Sequence, residues 1–424
     1  HFFRSTLVQT LFYGVFSAWV LWHRDNPGTG QYGAASLFES TASGASTNAG
    51  GPQTALKFDW QKAEWSLHVP FIRVLYEEVA KPSRLGPLGL VELLDWTAAA
   101  LNRVSRGEFF QSFEDKHAVQ YFYEPFLEAY DPDLRKELGV WYTPREIVKY
   151  QVARVDTVLR EELDLADGLA DPNVVVLDPC CGTGAYLVEV LRSIAATLRD
   201  KGGDALVASD LKEAAMNRVF GFEIMPAPFV VSHLQLGLTL QAAGVPLAEN
   251  ERVGVYLTNA LTGWEPPTGP KQKVIWTELQ DERDAADLVK REKRILVVLG
   301  NPPYNAFAGV SPDEEQGLVE PYKKDLNKPI AAGGWGIRKF NLDDLYIRFF
   351  RLAERRIAEM SGEGVISFIS NFSYLGDPSF VVMRKRLLGE FDKFWFDCLN
   401  GDSRETGKLT PDGKPDPSVF STEY

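Results

Sequence analysis

Asn301, Pro302, Pro303 and Tyr304 are the stretch of this 424-residue chain best equipped for chemistry. Consecutive prolines remove backbone N–H groups, and the Asn amide adds a carbonyl acceptor. What remains is a pair of acceptors, Asn301 Oδ1 and the Pro302 carbonyl, beside the aromatic face of Tyr304. That set suits a planar amino group, which brings two N–H donors and a ring to stack on. An ordinary Pro-Pro turn with a buried tyrosine fits the same four residues, so the other motifs must decide between the two.

A second cluster is Asp178-Pro179-Cys180-Cys181-Gly182-Thr183-Gly184. It is a glycine-rich turn whose acidic residue comes first. Gly182 and Gly184 let a ligand approach the backbone closely. Asp178 would repel a pyrophosphate but would meet an amino or sulfonium group. Glu223 stands where a carboxylate at the end of a second strand accepts the hydroxyls of a ribose. The same residue also reads as a solvated strand-end Glu. Asn259 follows a third apolar run and reads equally as a hydrogen-bond partner for an adenine edge or as a turn cap. Tyr142-Thr143-Pro144 reads as a capped helix start, or as one wall of a ligand pocket.

Short strands must hold these residues. The apolar runs at 174–177, 218–224, 253–258 and 295–299 each end in one of the motifs. Further strands are expected at 364–369 and 391–399. Helices are expected at 145–161, from the glycine turn through 198, and at 228–240, 342–360 and 379–388. Strand, glycine turn and helix make the first unit of a doubly wound α/β sheet. Residues 200–215 read as an insertion, 264–294 as a solvated excursion and 305–336 as a mobile loop. Residues 1–138 read as helical, with a flexible loop at 40–54. Trp19, Trp22, Trp65 and Trp96 are expected in the core or at a domain interface.

Length implies roughly two to three domains. A net charge of −13 argues against a protein that wraps nucleic acid over most of its surface. Three cysteines cannot build a disulfide framework, which favours a reducing, cytoplasmic setting. Residues 7–22 are apolar but interrupted and short for a membrane span. They are expected to form a soluble amphipathic helix. A chain starting at His1 and ending in mid-pattern reads as part of a longer polypeptide.

Taken together, Tyr142-Thr143-Pro144, Asp178-Pro179-Cys180-Cys181-Gly182-Thr183-Gly184, Glu223 and Asn301-Pro302-Pro303-Tyr304 occur in the order of the γ-class N6-adenine DNA methyltransferases. With residues 122–127 ahead of them, the chain resembles the modification part of Type ISP restriction-modification enzymes. The resemblance implies a Rossmann-like S-adenosylmethionine-dependent methyltransferase sheet with helices on both faces, at 139–424. An all-α, coupler-like domain at 1–138 would precede it. It implies S-adenosylmethionine as methyl donor, held by Tyr142, Thr143, Asp178, Cys180, Gly182, Gly184, Glu223, Ile224, Asn259 and Asn301. Asn301 and Pro302 would bind the amino group of a flipped adenine in double-stranded DNA. Tyr304 would stack on the base, with Phe420 on its other face. No metal is needed. Nuclease, helicase and target-recognition parts would lie outside this chain, which has no G-x-x-x-x-G-K-[ST] loop. Asn259 departs from the Asp common at that strand end. Two other readings stay open: methylation of a protein glutamine or RNA amino group, and a non-catalytic S-adenosylmethionine-binding module.

Overall fold

The computed structural model describes residues 2–25, 57–61, 73, 76, 80–105, 108–109, 143–248, 250–265, 277–304, 317–338, 340, 342–399, 409 and 412–414. The chain divides into two compact units, 1–123 and 124–424. The expected boundary near 138 lies outside the described residues.

The first unit is helical. Its long helix α1 (Phe2–Asp25) is buried all round between Leu11 and Val20, with Tyr13, Gly14, Ser17 and Ala18 enclosed like Phe16 and Trp19. An amphipathic stripe is therefore not what the fold uses: aromatic residues close over the second face as well. Tyr76 donates to the Trp60 carbonyl (3.0 Å), and Trp60 Nε1 donates to Asp95 Oδ1 (2.6 Å) on α2 (Leu90–Leu101). Trp96 is exposed, against expectation, because α2 turns that side chain away from the face carrying Leu94 and Ala98. Among the described residues no helix is long and apolar enough to cross a membrane.

The second unit is an α/β fold around a five-stranded parallel sheet. In chain order its elements are α3 (Arg145–Glu162), β1 (Val176–Asp178), α4 (Ala185–Asn217), β2 (Val219–Glu223), α5 (Pro226–Ala242), β3 (Val255–Leu257), α6 (Thr277–Glu292), β4 (Val297–Gly300), α7 (Leu345–Glu354), β5 (Val365–Phe368) and α8 (Val381–Glu390). The strand order is β3-β2-β1-β4-β5. The chain steps outward from β1 through β2 to β3, then crosses back to place β4 on the other side of β1. The gap between the carboxyl ends of β1 and β4 is thus the switch point at which such sheets bind ligands. Val176 pairs with Val219 on one side and Val297 on the other, so Asp178 and Gly300 finish close together.

One face of the sheet, carrying Leu177, Phe220, Phe222 and Val298, packs on Val289 of α6 and Leu345, Phe349 and Leu352 of α7. The opposite face meets α4 so closely that a Cβ on Gly221 would lie 2.6 Å from Leu187. The outer edge of β3 is covered by side chains instead of a strand. Leu257 N donates to Glu282 Oε1 (2.8 Å), Arg252 donates to the Val255 carbonyl, and the two side chains pair with each other.

Several expectations are corrected. The stretch expected as a solvated excursion contains α6. Its inward positions are Glu282, Ala286, Val289 and Lys290, and two charged members disguise the stripe. Residues 200–215 are the second half of α4, which bends at Gly203 (φ +67°, ψ −164°). Within the expected mobile loop, residues 317–338 are packed down by Tyr322 and Leu326, both fully buried. Residues 391–399 are not a strand: no neighbour pairs with them among the described residues, and Phe394, Trp395 and Phe396 remain 37–59 % exposed. Alternating apolar residues become a strand only when backbone groups find partners.

Candidate active site

Two buried carboxylates stand at the carboxyl ends of β1 and β2. Asp178 is 1 % exposed, and its Oδ1 accepts the Cys180 amide at 3.1 Å. Glu223 accepts the Gly182 amide on Oε2 (3.0 Å) and the Met225 amide on Oε1 (2.7 Å), so it ties the glycine turn of β1 to the end of β2. Among the described residues neither has a cationic partner within ion-pair distance. Burial pushes both carboxyls up to about 7; their backbone hydrogen bonds oppose the rise without cancelling it. Burial also raises the thiols of Cys180 and Cys181 well above their usual range.

The glycines explain how the turn stays open. Gly182 (φ +53°) and Gly184 (φ +88°) take left-handed conformations. A Cβ at Gly184 would press against Ser232 of α5 at 3.1 Å. At the end of β4, a Cβ on Gly300 would sit 2.7 Å from Asp178 Oδ1. The Asp178 carboxylate therefore fits only because residue 300 has no side chain.

Asn301 follows at once. Its Nδ2 donates to Thr143 Oγ1 (3.1 Å), just ahead of α3, and its Oδ1 accepts from the Tyr304 hydroxyl (3.1 Å). That hydroxyl also lies 2.8 Å from the Ile369 carbonyl beyond β5. The Tyr304 ring lies 6.0 Å from that of Tyr346, tilted by 37°. Tyr304 is half-buried at the edge of the cluster formed by Tyr322, Tyr346, Phe380 and Met383. Thr143, Asp178, Cys180, Gly182, Gly184, Glu223, Asn301, Pro302 and Tyr304 thus gather around the switch point. Ile224 stands beside Glu223 and is half exposed. Asn259 lies on the β3 side, where its Oδ1 caps its own turn by accepting the Leu261 amide (2.9 Å). Tyr142 and Phe420 lie outside the described residues.

Sequence reasoning missed three side chains here. Tyr186, in the first turn of α4, is buried and donates to Gln151 Oε1 (2.5 Å). Gln151 sits among Ile147, Val148, Val152 and Val155 on the buried face of α3; a polar residue inside an apolar stripe was the available signal. Lys290 reaches from α6 to Thr258 Oγ1 (2.8 Å) and the Asn259 carbonyl (2.7 Å), which fixes the turn after β3.

Residues 114–323 match the family model described as N-6 DNA Methylase. The match covers just under half of the chain. Solved structures show the same fold. The nuclease-deletion mutant of the Type ISP restriction-modification enzyme LlaGI, in complex with a DNA substrate mimic, aligns with a TM-score of 0.60 at 21% identity, over 82% of this chain and 26% of that one. The ATP-dependent Type ISP enzyme LlaBIII, bound to DNA, aligns with a TM-score of 0.57 at 20% identity, over 90% of this chain and 22% of that one. The DrdV–DNA complex aligns with a TM-score of 0.50 at 23% identity, over 78% of this chain and 29% of that one. The chain therefore spans between about a fifth and three tenths of these proteins' lengths. No match was found among curated proteins.

Proposed function

We propose that this chain transfers a methyl group from S-adenosylmethionine to the N6 amino group of an adenine flipped out of double-stranded DNA, as the modification part of a restriction-modification or phage-defence system. The observation that carries this reading is that Asn301-Pro302 follows directly on Gly300, which abuts Asp178 at the switch point: an acceptor pair suited to an amino group stands next in the chain to a glycine packed on a buried carboxylate that has no cationic partner among the described residues.

The pocket fits the donor. Asp178 and Glu223 supply negative charge and acceptors for a ligand bearing an ammonium, a sulfonium and ribose hydroxyls, while Gly182, where a Cβ would meet nothing within 4 Å, leaves room beside them. Thr143, Cys180, Ile224 and Asn259 would complete the lining. When bound, the donor supplies an electrophilic methyl carbon. The protein's share is positioning and electrostatics. Asn301 Oδ1 and the Pro302 carbonyl accept the two amino hydrogens and draw the nitrogen lone pair out of conjugation with the purine. Tyr304 offers its ring to the flipped base. The surplus amino proton, made strongly acidic by the new bond, would be released past these acceptors to solvent, so no dedicated base is required. Nuclease, helicase and target-recognition functions would come from outside this segment.

The test uses tritiated S-adenosylmethionine with unmethylated foreign DNA, comparing the longest polypeptide that contains this segment with its Asn301→Ala variant. Label recovered as N6-methyladenine, falling by about 10²–10³-fold in the variant, is the expected result. Label in protein or RNA instead of DNA would overturn the reading.

A further inference from the structure

The turn after β3, residues 258–264, carries Asn259 and is seated on α6. Lys290 Nζ donates to the Asn259 carbonyl (2.7 Å) and to Thr258 Oγ1 (2.8 Å), and Arg291 Nε donates to the Gly263 carbonyl (3.0 Å). Within the turn, Trp264 Nε1 donates to the Ala260 carbonyl (2.6 Å). Gly263 (φ +78°) lies so close to α6 that a Cβ there would sit 2.8 Å from Asp287 Oδ1, and the same carboxylate pairs with Arg291 (2.8 Å). On the sheet side, the Thr258 amide donates to the Glu223 carbonyl (2.8 Å). The turn is therefore pinned between α6 and the residue whose carboxylate ends β2. With those carbonyls tied back, a donor remains: the Ala260 amide has no hydrogen-bond partner among the described residues, although Ala260 is only 5 % exposed. A buried amide without a partner calls for an acceptor from outside the protein.

We propose that Lys290 and Arg291 are positioning residues for the nucleoside end of the methyl donor. The inference rests on the methyltransferase reading and deepens it. Lys290 is 1 % exposed, and taking an ammonium out of water is costly unless its hydrogen bonds are made. Here the ammonium is bonded to two oxygens of the turn, so its burial fixes the turn's shape. Arg291 holds the far end of the turn through Gly263. A turn ordered before the ligand arrives does not have to be ordered by it, and that difference appears as affinity. The Ala260 amide and the Asn259 side chain are then presented to a purine edge, next to the Glu223 carboxylate that suits ribose hydroxyls.

The effect belongs to one half of the donor. Asp178 and Thr143 stand on the β1–β4 side of the site, where they bond Cys180 and Asn301 and not the turn. Loosening the turn therefore costs affinity for the nucleoside and leaves the rate of transfer from the bound donor unchanged.

The experiment compares wild type, Lys290→Met, Arg291→Ala and two controls, each in the longest polypeptide that contains this segment. The Arg291 side chain is 24% exposed, so its variant keeps the test open if Lys290→Met fails to fold. Asp178→Ala perturbs the other half of the pocket, and Val382→Ala removes buried volume on α8, in a cluster that does not include the turn. Amide hydrogen exchange of residues 258–264 is followed by mass spectrometry in the donor-free protein. Affinity is measured by calorimetry for S-adenosylmethionine and by competition for 5′-methylthioadenosine, which keeps the nucleoside and lacks the amino-acid part. Lys290→Met and Arg291→Ala are expected to speed exchange and to weaken both ligands alike, by about tenfold, with kcat at saturating donor within about twofold of wild type. Asp178→Ala should weaken S-adenosylmethionine alone, and Val382→Ala should weaken neither. Unchanged exchange or affinity in the folded variants, a loss confined to S-adenosylmethionine, or an equal loss in Val382→Ala would overturn the proposal. Faster exchange in variants of a protein that binds neither ligand would support the clamp on the turn and count against the methyltransferase reading.

Discussion

Two buried acidic clusters in the second unit are built in opposite ways. Glu354 on α7 is fully buried and surrounded by positive charge. Arg386 donates to it (2.9 Å), the Arg351 guanidinium lies 3.6 Å away, and the Tyr322 hydroxyl donates to its other oxygen. Glu359 completes the set by pairing with both arginines. Asp178 and Glu223 are buried almost as deeply, yet receive hydrogen bonds from backbone amides. The first cluster balances its own charge and ties Tyr322 and α8 to α7. The second has no cationic partner within ion-pair distance among the described residues. Buried charge that is already neutralised holds a fold together; buried charge that is not marks a place for a ligand.

The contrast is sharpest in stability. Glu354→Ala leaves Arg351 and Arg386 with Glu359 alone and the buried Tyr322 hydroxyl without its acceptor, and should cost about 3 kcal/mol in urea unfolding, while donor affinity of the folded fraction stays near wild type. A larger loss of affinity than of stability would erase the distinction.

Acid–base behaviour separates the clusters next. Asp178 and Glu223 have folded-state pKa values of about 7, above those of the unfolded chain. The ligand-free folded state therefore binds more protons than the unfolded one from about pH 4 to about pH 7. Stability from these two groups is fully present at the acid end and is lost as pH rises through 7. The Tm should be lower at pH 8 than at pH 5, and Asp178→Asn should flatten the slope. An equal slope in the variant would show that these carboxylates do not drive it.

Asp178→Ala should weaken S-adenosylmethionine binding about tenfold, or about 1.4 kcal/mol by calorimetry, with little loss of stability. Gly300→Ala is subtler. Its new Cβ must displace the Asp178 carboxylate, since it would otherwise lie 2.7 Å from Oδ1. A severalfold loss of donor affinity, under about 1 kcal/mol, is expected. Retention of full affinity would mean that the carboxylate does not need its observed place.

The parts of the site that could be read beforehand share one physical property: each is a short apolar run ended by Pro, Gly or an acid, and those ends line the sheet's carboxyl edge. Asp178, Glu223 and Asn301 were legible for that reason. Gln151, Tyr186, Glu282 and Lys290 were not, because each is a polar group turned inward. Inward polar residues become intelligible only when their partners, 25 to more than 200 positions away, are known. The strand expected at 391–399 failed for the complementary reason. Its alternation is local, but strand formation depends on a neighbour. Asn259 was legible as a polar strand end, and its turn-capping role emerged only from the Leu261 amide it accepts.

The Arg252–Glu282 pair over β3 makes the sheet directional. A β-sheet grows by recruiting any extended peptide to a flank whose N–H and C=O groups still lack partners. On the β3 flank those groups already answer to a guanidinium and a carboxylate, which present charge to an approaching strand. Among the described residues the β5 flank carries no such cap. Strand addition on the β3 flank, whether by a neighbouring domain, a binding peptide or an aggregating copy, is opposed, and removing the Glu282 carboxylate would relieve that opposition.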